Sequence, residues 1–499
     1  MSPSPPTPSA VSAPNRWAVL ALLGVAQLMV VLDATIVNIA LPSAQTALHF
    51  STDNRQWIIT AYALAFGSLL LLGGKLGDLF GRKWTFIAGL IGFAIASAIG
   101  GLAQSFGTLV AARALQGAFG AMLAPSALGL LTVTFHGSAD RAKAFGIFGA
   151  IAAGGGSLGL LLGGVLTQAV SWRWCLYVNL AIAVPTAIVA LRLLGNQRRP
   201  DRAPIDLPGV AIGSAGLFSL VYGFSNAETS SWSDPVTVVA LAASAVLLSG
   251  FIALERRVEH PLLPLRIVWD RARGGAYASI ALAASAVFAV FLFLTYYMQQ
   301  NLGFSPLQTG LGFLPMTAMI VVTSTTVQTR VLHRTGAKPL VMTGMVLGLV
   351  AMLLFTRLTG GGAYATHVLP GLMLTGLGMG CIFAPAFSTA TLGVSTNDAG
   401  IASAMVNTSQ QVGGSIGTAL LSTIFASAAA GYTSTHTAAA GLAGAASIHG
   451  YTTAFEWAAG IFGLGVLVAL TILPSDGAAR ARIAQTQASS DRGLALETT

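Results

Sequence analysis

Long apolar stretches alternate with short polar segments along nearly the whole chain. Crossing the hydrocarbon core of a bilayer, about 30 Å thick, takes roughly 20 mostly apolar residues in a helix. Cutting the sequence at clusters of charge, proline and glycine predicts fourteen such spans, at 17–41, 55–73, 84–103, 107–132, 143–167, 174–194, 207–225, 236–254, 276–298, 311–330, 339–356, 366–389, 399–427 and 453–473. The pattern therefore predicts an all-α integral membrane protein with fourteen transmembrane helices.

The basic residues fall unevenly on the segments between these spans. Of the 25 Lys and Arg, 21 fall in the two tails and one set of alternate loops, and Arg113 falls within a span. The other loops carry Arg55, Arg173 and Arg357. Because cytoplasmic loops are enriched in Lys and Arg, both termini are predicted to be cytoplasmic, in a multi-pass protein of the cytoplasmic membrane.

Composition excludes a water-soluble protein. Only 8% of the 499 residues are charged and 54% are hydrophobic, whereas about 25% of a soluble protein is charged. The net charge of +9 reports membrane topology, so nucleic acid is not an expected partner. Cys175 and Cys381 lie in apolar runs without CxxC spacing, so neither a disulfide nor a metal site is predicted.

An internal repeat suggests two homologous halves. Residues 140–159 align without gaps on residues 398–417 and share an Asp, an Ala, a Ser and three Gly, and Gly81 and Lys83 echo Gly336 and Lys338 at nearly the same offset. Chance similarity between Gly/Ala-rich helices is the alternative. A duplication divides the chain into a tail (1–16), a six-helix half (17–200), two inserted helices (201–260), a second six-helix half (261–475) and a tail (476–499).

The segment after the second span reads GKLGDLFGRK from Gly74 to Lys83. It resembles the cytoplasmic-loop signature of the major facilitator superfamily, which implies the major facilitator fold and a conformational latch. The latch residues implied by the resemblance are Gly74, Asp78, Gly81, Arg82 and Lys83. A carboxylate stabilises a helix N-terminus and can release it when domains rock. A simple positive-inside anchor is the alternative, but it leaves Asp78 unexplained.

Two further motifs resemble those of antiporters in this superfamily. Arg113 and Gln116 of span four belong to an R-x-x-Q-G-x-x-G pattern, which implies that Arg113 takes part in proton transfer; an Arg reaching out from a helix end is the alternative. Span five resembles the exporter motif G-x-x-x-G-P-x-x-G-G through small residues that allow close helix packing, at Gly155, Gly159, Gly163 and Gly164. Leu160 replaces the motif's Pro, which leaves the kink in question, and generic helix packing also explains the glycines.

Span one carries the most diagnostic stretch, LDATIVNIALP from Leu32 to Pro42. It resembles the signature of fourteen-helix drug:proton antiporters, and matches continue to about residue 473. Asp33 is the acid left inside the membrane once the loop and helix-end acids are placed, so it is the predicted proton-coupling site together with Arg113. A helix-packing carboxylate is the alternative.

The resulting hypothesis is a monomeric, proton-driven exporter of small lipophilic drugs or antibiotics that works by alternating access and needs no cofactor. In the family that the chain resembles, some exporters of divalent organic cations have a second membrane acid in the second half. None is found in span ten here, so the resemblance implies neutral, monocationic or zwitterionic substrates. A dedicated exporter of one endogenous metabolite or self-made antibiotic is a second hypothesis, and a membrane enzyme or sensor a remote third. Candidate substrate-cavity residues are Gln27, Asn38, Tyr62, Gln116, Asn179, Tyr296, Tyr297, Asn407 and Gln411.

Overall fold

A computed structural model of the chain describes residues 15–50, 57–135, 140–195, 206–259, 261–394, 398–436 and 442–474. Within these ranges the secondary structure is helical throughout. The α-helices are α1 (Arg16–Leu48), α2 (Trp57–Phe80), α3 (Arg82–Gly101), α4 (Phe106–Thr134), α5 (Arg141–Ala169), α6 (Trp174–Leu193), α7 (Leu207–Thr229), α8 (Pro235–Glu255), α9 (Leu265–Trp269), α10 (Arg271–Tyr296), α11 (Pro306–Gly312), α12 (Leu314–Thr326), α13 (Leu332–Thr335), α14 (Ala337–Phe355), α15 (Leu369–Ala390), α16 (Ala399–Thr435) and α17 (Leu442–Thr471). Three π-helical segments extend α10, α12 and α15, at Tyr297–Asn301, Val327–Val331 and Tyr364–Val368.

The number of spans agrees with the expectation from the sequence. Thirteen helical stretches of the described residues are long and apolar enough to cross a membrane, and α5 makes fourteen. Helix α5 is bent by 43° between Arg141–Gly156 and Leu158–Ala169, next to three consecutive glycines and a serine. Gly/Ser sequences are a recognised cause of kinks, so the bend does not require the proline that Leu160 replaces.

Four predicted helix bounds are wrong by seven residues or more. Helix α1 runs to Leu48 instead of ending at residue 41. Helix α2 runs to Phe80, so most of the segment from Gly74 to Lys83 is helical rather than a loop. The turn itself is confined to Gly81, whose φ of 93° favours glycine. At the other end of the chain, α17 begins at Leu442, which places Glu456 in the middle of that helix instead of near its outer end. Helix α16 is also longer than predicted and reaches Thr435.

The alternation of basic and non-basic loops assigns each helix end to one of two sides. Helix ends assigned to the same side meet at one face of the protein. Arg16 at the start of α1 pairs with Asp140 at the start of α5, and Lys338 at the start of α14 donates to Leu470 O near the end of α17. At the opposite face, Arg173 donates to the carbonyl oxygens of Gly101 and Ala103 after α3. The predominantly basic segments thus gather at one face, which is called the basic face below.

The packing of the first six helices is repeated later in the chain. Helix α1 packs on α5 and α6, and α3 on α4 and α6; in the same way α10 packs on α16 and α17, and α14 on α15 and α17. The aligned glycines take equivalent positions, because Gly155 and Gly159 face α1 whereas Gly413 and Gly417 face α10. The structural correspondence supports the repeat inferred from sequence.

The weaker echo between Gly81 and Gly336 also has a structural basis. Both residues are N-caps with positive φ, 93° for Gly81 before α3 and 78° for Gly336 before α14. A residue with a Cβ would be strained in this conformation, so the same turn demands glycine in both places. The inserted helices α7 and α8 pack against each other, and α7 contacts α2 and α16.

Candidate functional site

A buried network of polar side chains lies among α1, α3, α4 and α6, with the Asp33 carboxylate at its centre. Arg113 Nη1 lies 2.6 Å from Asp33 Oδ2, and the two side chains are 2% and 0% exposed. Two amides also donate to Asp33 Oδ1: Gln116 Nε2 at 3.1 Å and Asn179 Nδ2 at 2.7 Å. Three donors from two other helices therefore hold one carboxylate of α1.

The sequence of α4 explains how this arrangement forms. Residues three apart share a helix face, so Arg113 and Gln116 both point at the network and are hydrogen-bonded to each other at 2.9 Å. The next two motif glycines face α2 instead: a Cβ on Gly117 would overlap Tyr62 O, and one on Gly120 would crowd Phe66. The polar residues and the glycines of this motif thus have different roles on neighbouring turns of α4: Arg113 and Gln116 form the network, and the glycines allow α2 to pack closely.

Ser97 of α3 completes the network and was missed by the sequence reasoning. Its Oγ lies 2.5 Å from Gln116 Nε2 and 3.1 Å from Asn179 Nδ2, and the residue is fully buried. One signal was available, since Ser97 is a hydroxyl residue in the middle of the third apolar span. On the other side of Arg113, the Tyr62 ring lies 4.3 Å from the guanidinium carbon, a cation–π contact.

The chemistry of the network depends on charge. Bringing two ions into a low-dielectric interior is costly, and good geometry with full hydrogen bonding is needed to offset this cost. The donors around Asp33 supply that compensation for the ionised carboxylate. Binding a proton at Asp33 would remove the negative charge and leave Arg113 as a buried cation without its counter-ion, so one proton can change the stability of the whole arrangement.

A small apolar cavity adjoins Arg113 on the side away from the basic face. Its lining includes Val37 and Leu41 of α1, Ile58 of α2 and Trp172 before α6, with the Arg113 side chain at its inner end. Arg113 Nε also donates to Ile58 O at 3.3 Å. The cavity is about 10 Å³, no more than the space of one water molecule beside the ion pair.

The glycine stripe of α5 packs this helix directly against α1. Positions where a Cβ would be crowded face successive turns of α1: Gly155 meets Leu28 and Val31, Gly159 meets Leu32 and Thr35, and Gly163 meets Ile36. Gly164 is buried beside the stripe. The arrangement matches the close packing predicted for small residues, and it sets the position of the helix that carries Asp33.

The predicted latch residues lie at the basic face, where α2 meets the start of α16. Asp78 Oδ1 accepts from Arg82 Nη2 at 2.7 Å and from the backbone N–H of Gly400 at 3.3 Å. Gly74 lies against the Gly400 carbonyl, so the two backbones are in close contact. A carboxylate at the first turn of α16 is stabilised by the helix dipole. Lys83 differs from the expected grouping, because its Nζ donates to Leu191 O of α6 instead of contacting α16.

Further polar contacts lie at the starts of α5 and α16. Asp398 Oδ2 pairs with Arg266 Nη2 of α9 at 2.7 Å, just as Asp140 pairs with Arg16 at the start of α5. Arg141 Nη2 donates to Thr391 Oγ1 at 3.0 Å, and Gly149 packs on Ala384. At the basic face the first six helices are therefore joined to α15 and α16 by several polar and backbone contacts.

The candidate cavity residues do not form one group. Gln116 and Asn179 belong to the Asp33 network, and Tyr297 is fully buried and donates to Thr359 O at 2.7 Å, so these three do not line an open cavity in this conformation. Gln411 lies against Gly67 of α2. Of the remaining candidates, Gln27 and Tyr62 are buried, Asn407 donates to Ser403 O of its own helix, Tyr296 is 45% exposed, and the side chain of Asn38 lies outside the described part of the structure.

The fold and the buried ion pair define a class: a multi-pass helical membrane protein built from two similar sets of six helices, as in secondary transporters. Residues 23–418 match the family described as the Major Facilitator Superfamily, and the chain belongs to this family. Its drug-exporter character is supported by relatives named as antibiotic resistance and export proteins.

Two such relatives and one solved structure give the extent of the similarity. The chain is 48% identical to the puromycin resistance protein pur8 of Streptomyces alboniger, over 85% of this chain and 84% of that protein. It is 38% identical to the cephamycin export protein CmcT of Amycolatopsis lactamdurans, over 83% and 85%. The crystal structure of the human organic anion transporter MFSD10 (TETRAN) matches with a TM-score of 0.61 at 16% identity, covering 91% of this chain and 100% of that one, which shows the fold alone.

Proposed function

We propose that the protein is a proton-coupled antiporter that exports small lipophilic drugs or antibiotics across the cytoplasmic membrane by alternating access. The observation that carries the proposal is the Asp33–Arg113 ion pair, 2.6 Å long and excluded from solvent. An intramembrane ion pair in a transporter is expensive to maintain, and such pairs mark ion or proton pathways. The driving force is the proton gradient, the termini are cytoplasmic, and one chain suffices.

In this proposal, proton coupling works through competition between a proton and Arg113 for the Asp33 carboxylate. A proton entering from the side of the apolar cavity neutralises Asp33, and Arg113 loses its strongest partner. Arg113, Gln116 and Asn179 must then form other hydrogen bonds, which shifts α4 and α6 relative to α1. Helix α1 is packed on α5 through the glycine stripe, and α5 contacts α12 and α15. The rearrangement therefore reaches the second set of six helices, residues 261–475.

In the proposal, the contacts at the basic face assign this structure to one state of the transport cycle. Asp78 and Gly400 connect α2 to α16, and Arg141 connects α5 to the end of α15. If the basic face is cytoplasmic, these contacts close the cytoplasmic side, and loading a drug from the cytoplasm requires that they separate. The Asp78 contact is then the latch that holds the outward-facing state.

The identity of the substrate is proposed from relatives and from charge. The names of the relatives refer to puromycin and cephamycin, which supports export of antibiotics. The polar side chains of α12 are uncharged, among them Thr317, Thr323 and Ser324, so no second acid is present there to hold a dication. Neutral, zwitterionic or monocationic lipophilic compounds are the proposed cargo.

A second candidate is a dedicated exporter of a single endogenous metabolite or self-made antibiotic. It is favoured by the relative named for cephamycin export, which is named for one compound. Comparing a deletion strain with its parent against many unrelated compounds separates the two. Sensitivity to one compound or a close chemical series supports the dedicated exporter, whereas sensitivity to several unrelated classes supports a multidrug exporter.

The proton-coupling proposal is tested with Asp33→Asn in inverted membrane vesicles that carry an imposed pH gradient. We expect gradient-driven accumulation of puromycin, or of whichever compound the deletion screen identifies, to fall to the level of vesicles without the protein. The matched control is Glu259→Gln, which removes an exposed acid beyond the end of α8. Gradient-driven uptake that continues unchanged in Asp33→Asn would overturn the assignment of Asp33.

A further inference from the structure

Two buried carboxyl groups meet at the basic face, where the inserted helix α7 begins and the inserted helix α8 ends. Asp206 is the N-cap of α7, and its Oδ1 accepts from Gly209 N at 2.9 Å. Glu255 is the last residue of α8, and its Oε2 accepts from Leu263 N at 3.0 Å. The two residues are 7% and 5% exposed. Each carboxyl group thus has one oxygen committed to a backbone N–H.

The two remaining oxygens face each other. Asp206 Oδ2 and Glu255 Oε1 are buried, and neither has a hydrogen-bond donor among the residues that the structure describes. A Cβ on Gly209 would overlap Asp206 Oδ2 and lie 2.8 Å from Glu255 Oε1, and the two carboxyl groups are within hydrogen-bonding reach of each other. Glycine at this position leaves the space in which they approach.

The Lys75 side chain brings a positive charge near the pair. Asp206 and Lys75 of α2 both act electrostatically on Glu255, with opposite signs. The Lys75 ammonium donates to Pro261 O at 3.3 Å, in the same connecting segment as Leu263. A single ammonium balances a single carboxylate. Two carboxylates that share a buried site repel, so the second negative charge is disfavoured near neutral pH.

We propose that Asp206 and Glu255 form a second proton-binding site, in which one proton is shared between Asp206 Oδ2 and Glu255 Oε1. The bound proton fastens residues 261–264, the connecting strap, to the inserted helices. Glu255 holds the strap through Leu263 N, and α9 and α10 follow the strap directly. Loss of the proton creates two adjacent carboxylates. In the proposal their repulsion outweighs the stronger hydrogen bond that an ionised Glu255 accepts, so Glu255 moves away from Asp206 and releases Leu263 N.

The proposed site is independent of the Asp33 network and of the proposed export. It lies between the inserted helices and α2, whereas Asp33 lies among α1, α3, α4 and α6. The strap joins the inserted helices to the second set of six, so the state of this proton changes how firmly the second set is attached. A proton site at the basic face therefore acts on the connection between the inserted helices and the second set of six helices.

Infrared spectroscopy of the full chain in lipid nanodiscs tests for the shared proton. We expect the carbonyl band of a protonated carboxylic acid near pH 7, present in Asp33→Asn but lost in both Glu255→Gln and Asp206→Asn. Glu259→Gln, which changes an exposed acid four residues beyond Glu255, is the matched control and should retain the band. A band that is unchanged in Glu255→Gln and Asp206→Asn would overturn the proposal.

Hydrogen exchange of the strap gives a second test, which starts from the unmodified protein. Between about pH 6 and pH 9, exchange of the Leu262 and Leu263 amides should rise at least about tenfold more than base catalysis alone predicts, the factor that corresponds to one pK unit of coupling between the two carboxyl groups. Pro261 and Pro264 have no amide hydrogen to follow. Either amide variant can donate where the shared proton did, so this excess should vanish in both. An unmodified strap whose exchange follows base catalysis alone would contradict the proposed fastening.

Discussion

The interiors of the two similar helix sets differ sharply in chemistry. Helices α1, α3 and α6 enclose the charged Asp33 network, whereas α10, α14 and α17, which pack in the same pattern, enclose aromatic rings. Ring centroids lie 5.0 Å apart for Phe355 and Phe455, and 6.1 Å apart for Phe293 and Phe455. Tyr451 of α17 and Phe425 of α16 extend this aromatic cluster, with ring centroids 5.0 Å apart.

The difference suggests that the two helix sets have different roles. Aromatic pairs are held by dispersion and quadrupole interactions that do not depend on protonation. A buried ion pair depends entirely on the charge state of its members, and a single proton can change its energy by several kcal/mol. One fold repeated twice can therefore supply a set that responds to protons and a counterpart that keeps its packing while the other changes.

The largest expected effect is on the ion pair itself. Arg113→Met leaves Asp33 as a buried anion without its main partner, which should cost about 3–5 kcal/mol of stability and abolish gradient-driven export. Adding Asp33→Asn to the same protein should restore most of the stability, since no uncompensated charge remains, but none of the export. Thermal unfolding in one detergent and transport in vesicles measure the two properties separately. Equal stability of the single and double variants would show that charge compensation does not hold this interior together.

A smaller effect is expected in the aromatic cluster. Phe455→Leu removes the ring contacts with Phe293 and Phe355, each worth about 0.5–1.5 kcal/mol, so the loss of stability should be about 1–3 kcal/mol. Gradient-driven export should persist, with the same dependence on pH as in the unmodified protein. A shifted pH dependence of export in Phe455→Leu would mean that the second set also responds to protons, and the contrast between the two interiors would fail.

The helix count and the placement of charge could be predicted from sequence because both follow from elementary energetics. A span must be apolar and about 20 residues long, and buried charge is rare enough that Asp33 and Arg113 stood out. Their partners did not stand out: Ser97 and Asn179 are ordinary polar residues, and their convergence depends on how α3 and α6 rotate against α1. Hydrophobicity indicates that a helix is buried in the membrane and says little about its rotation.

Errors in the sequence reasoning occurred where tertiary contacts stabilise a helix beyond its apolar stretch. Gly74 and Asp78 were expected in a loop because the segment is glycine-rich and charged, but packing of Gly74 against Gly400 and capping of α16 by Asp78 keep α2 helical to Phe80. The Asp206–Glu255 pair was missed for a related reason. Both acids lie at helix ends, where sequence alone indicates solvent exposure.

The latch tests whether the two sets move as separate bodies. Asp78→Asn weakens a charge-assisted contact at the first turn of α16, and a loss of about 1–2 kcal/mol should shift the population about tenfold towards separation of the sets at the basic face. Distances between spin labels on Lys143→Cys of α5 and Leu392→Cys after α15 report this separation. Lys83→Gln, which changes a contact within the first set, is the control and should leave the distances unchanged. Unaltered distances in Asp78→Asn would remove the latch from the mechanism.

The smallest effect is expected where the two sets differ in helix shape. Helix α5 is already bent by 43° just before Leu160, so Leu160→Pro should be tolerated at a cost of less than about 1 kcal/mol, compared with about 3 kcal/mol for proline in a regular helix interior. The aligned position in α16 is Thr418, which lies within a continuous helix, and Thr418→Pro should show the full cost. Thermal unfolding and vesicle transport of the two variants, measured side by side, give the comparison. If both variants lose the same stability, the glycine and serine residues of α5 do not replace the motif's proline, and the bend is not a property that distinguishes the first set from the second.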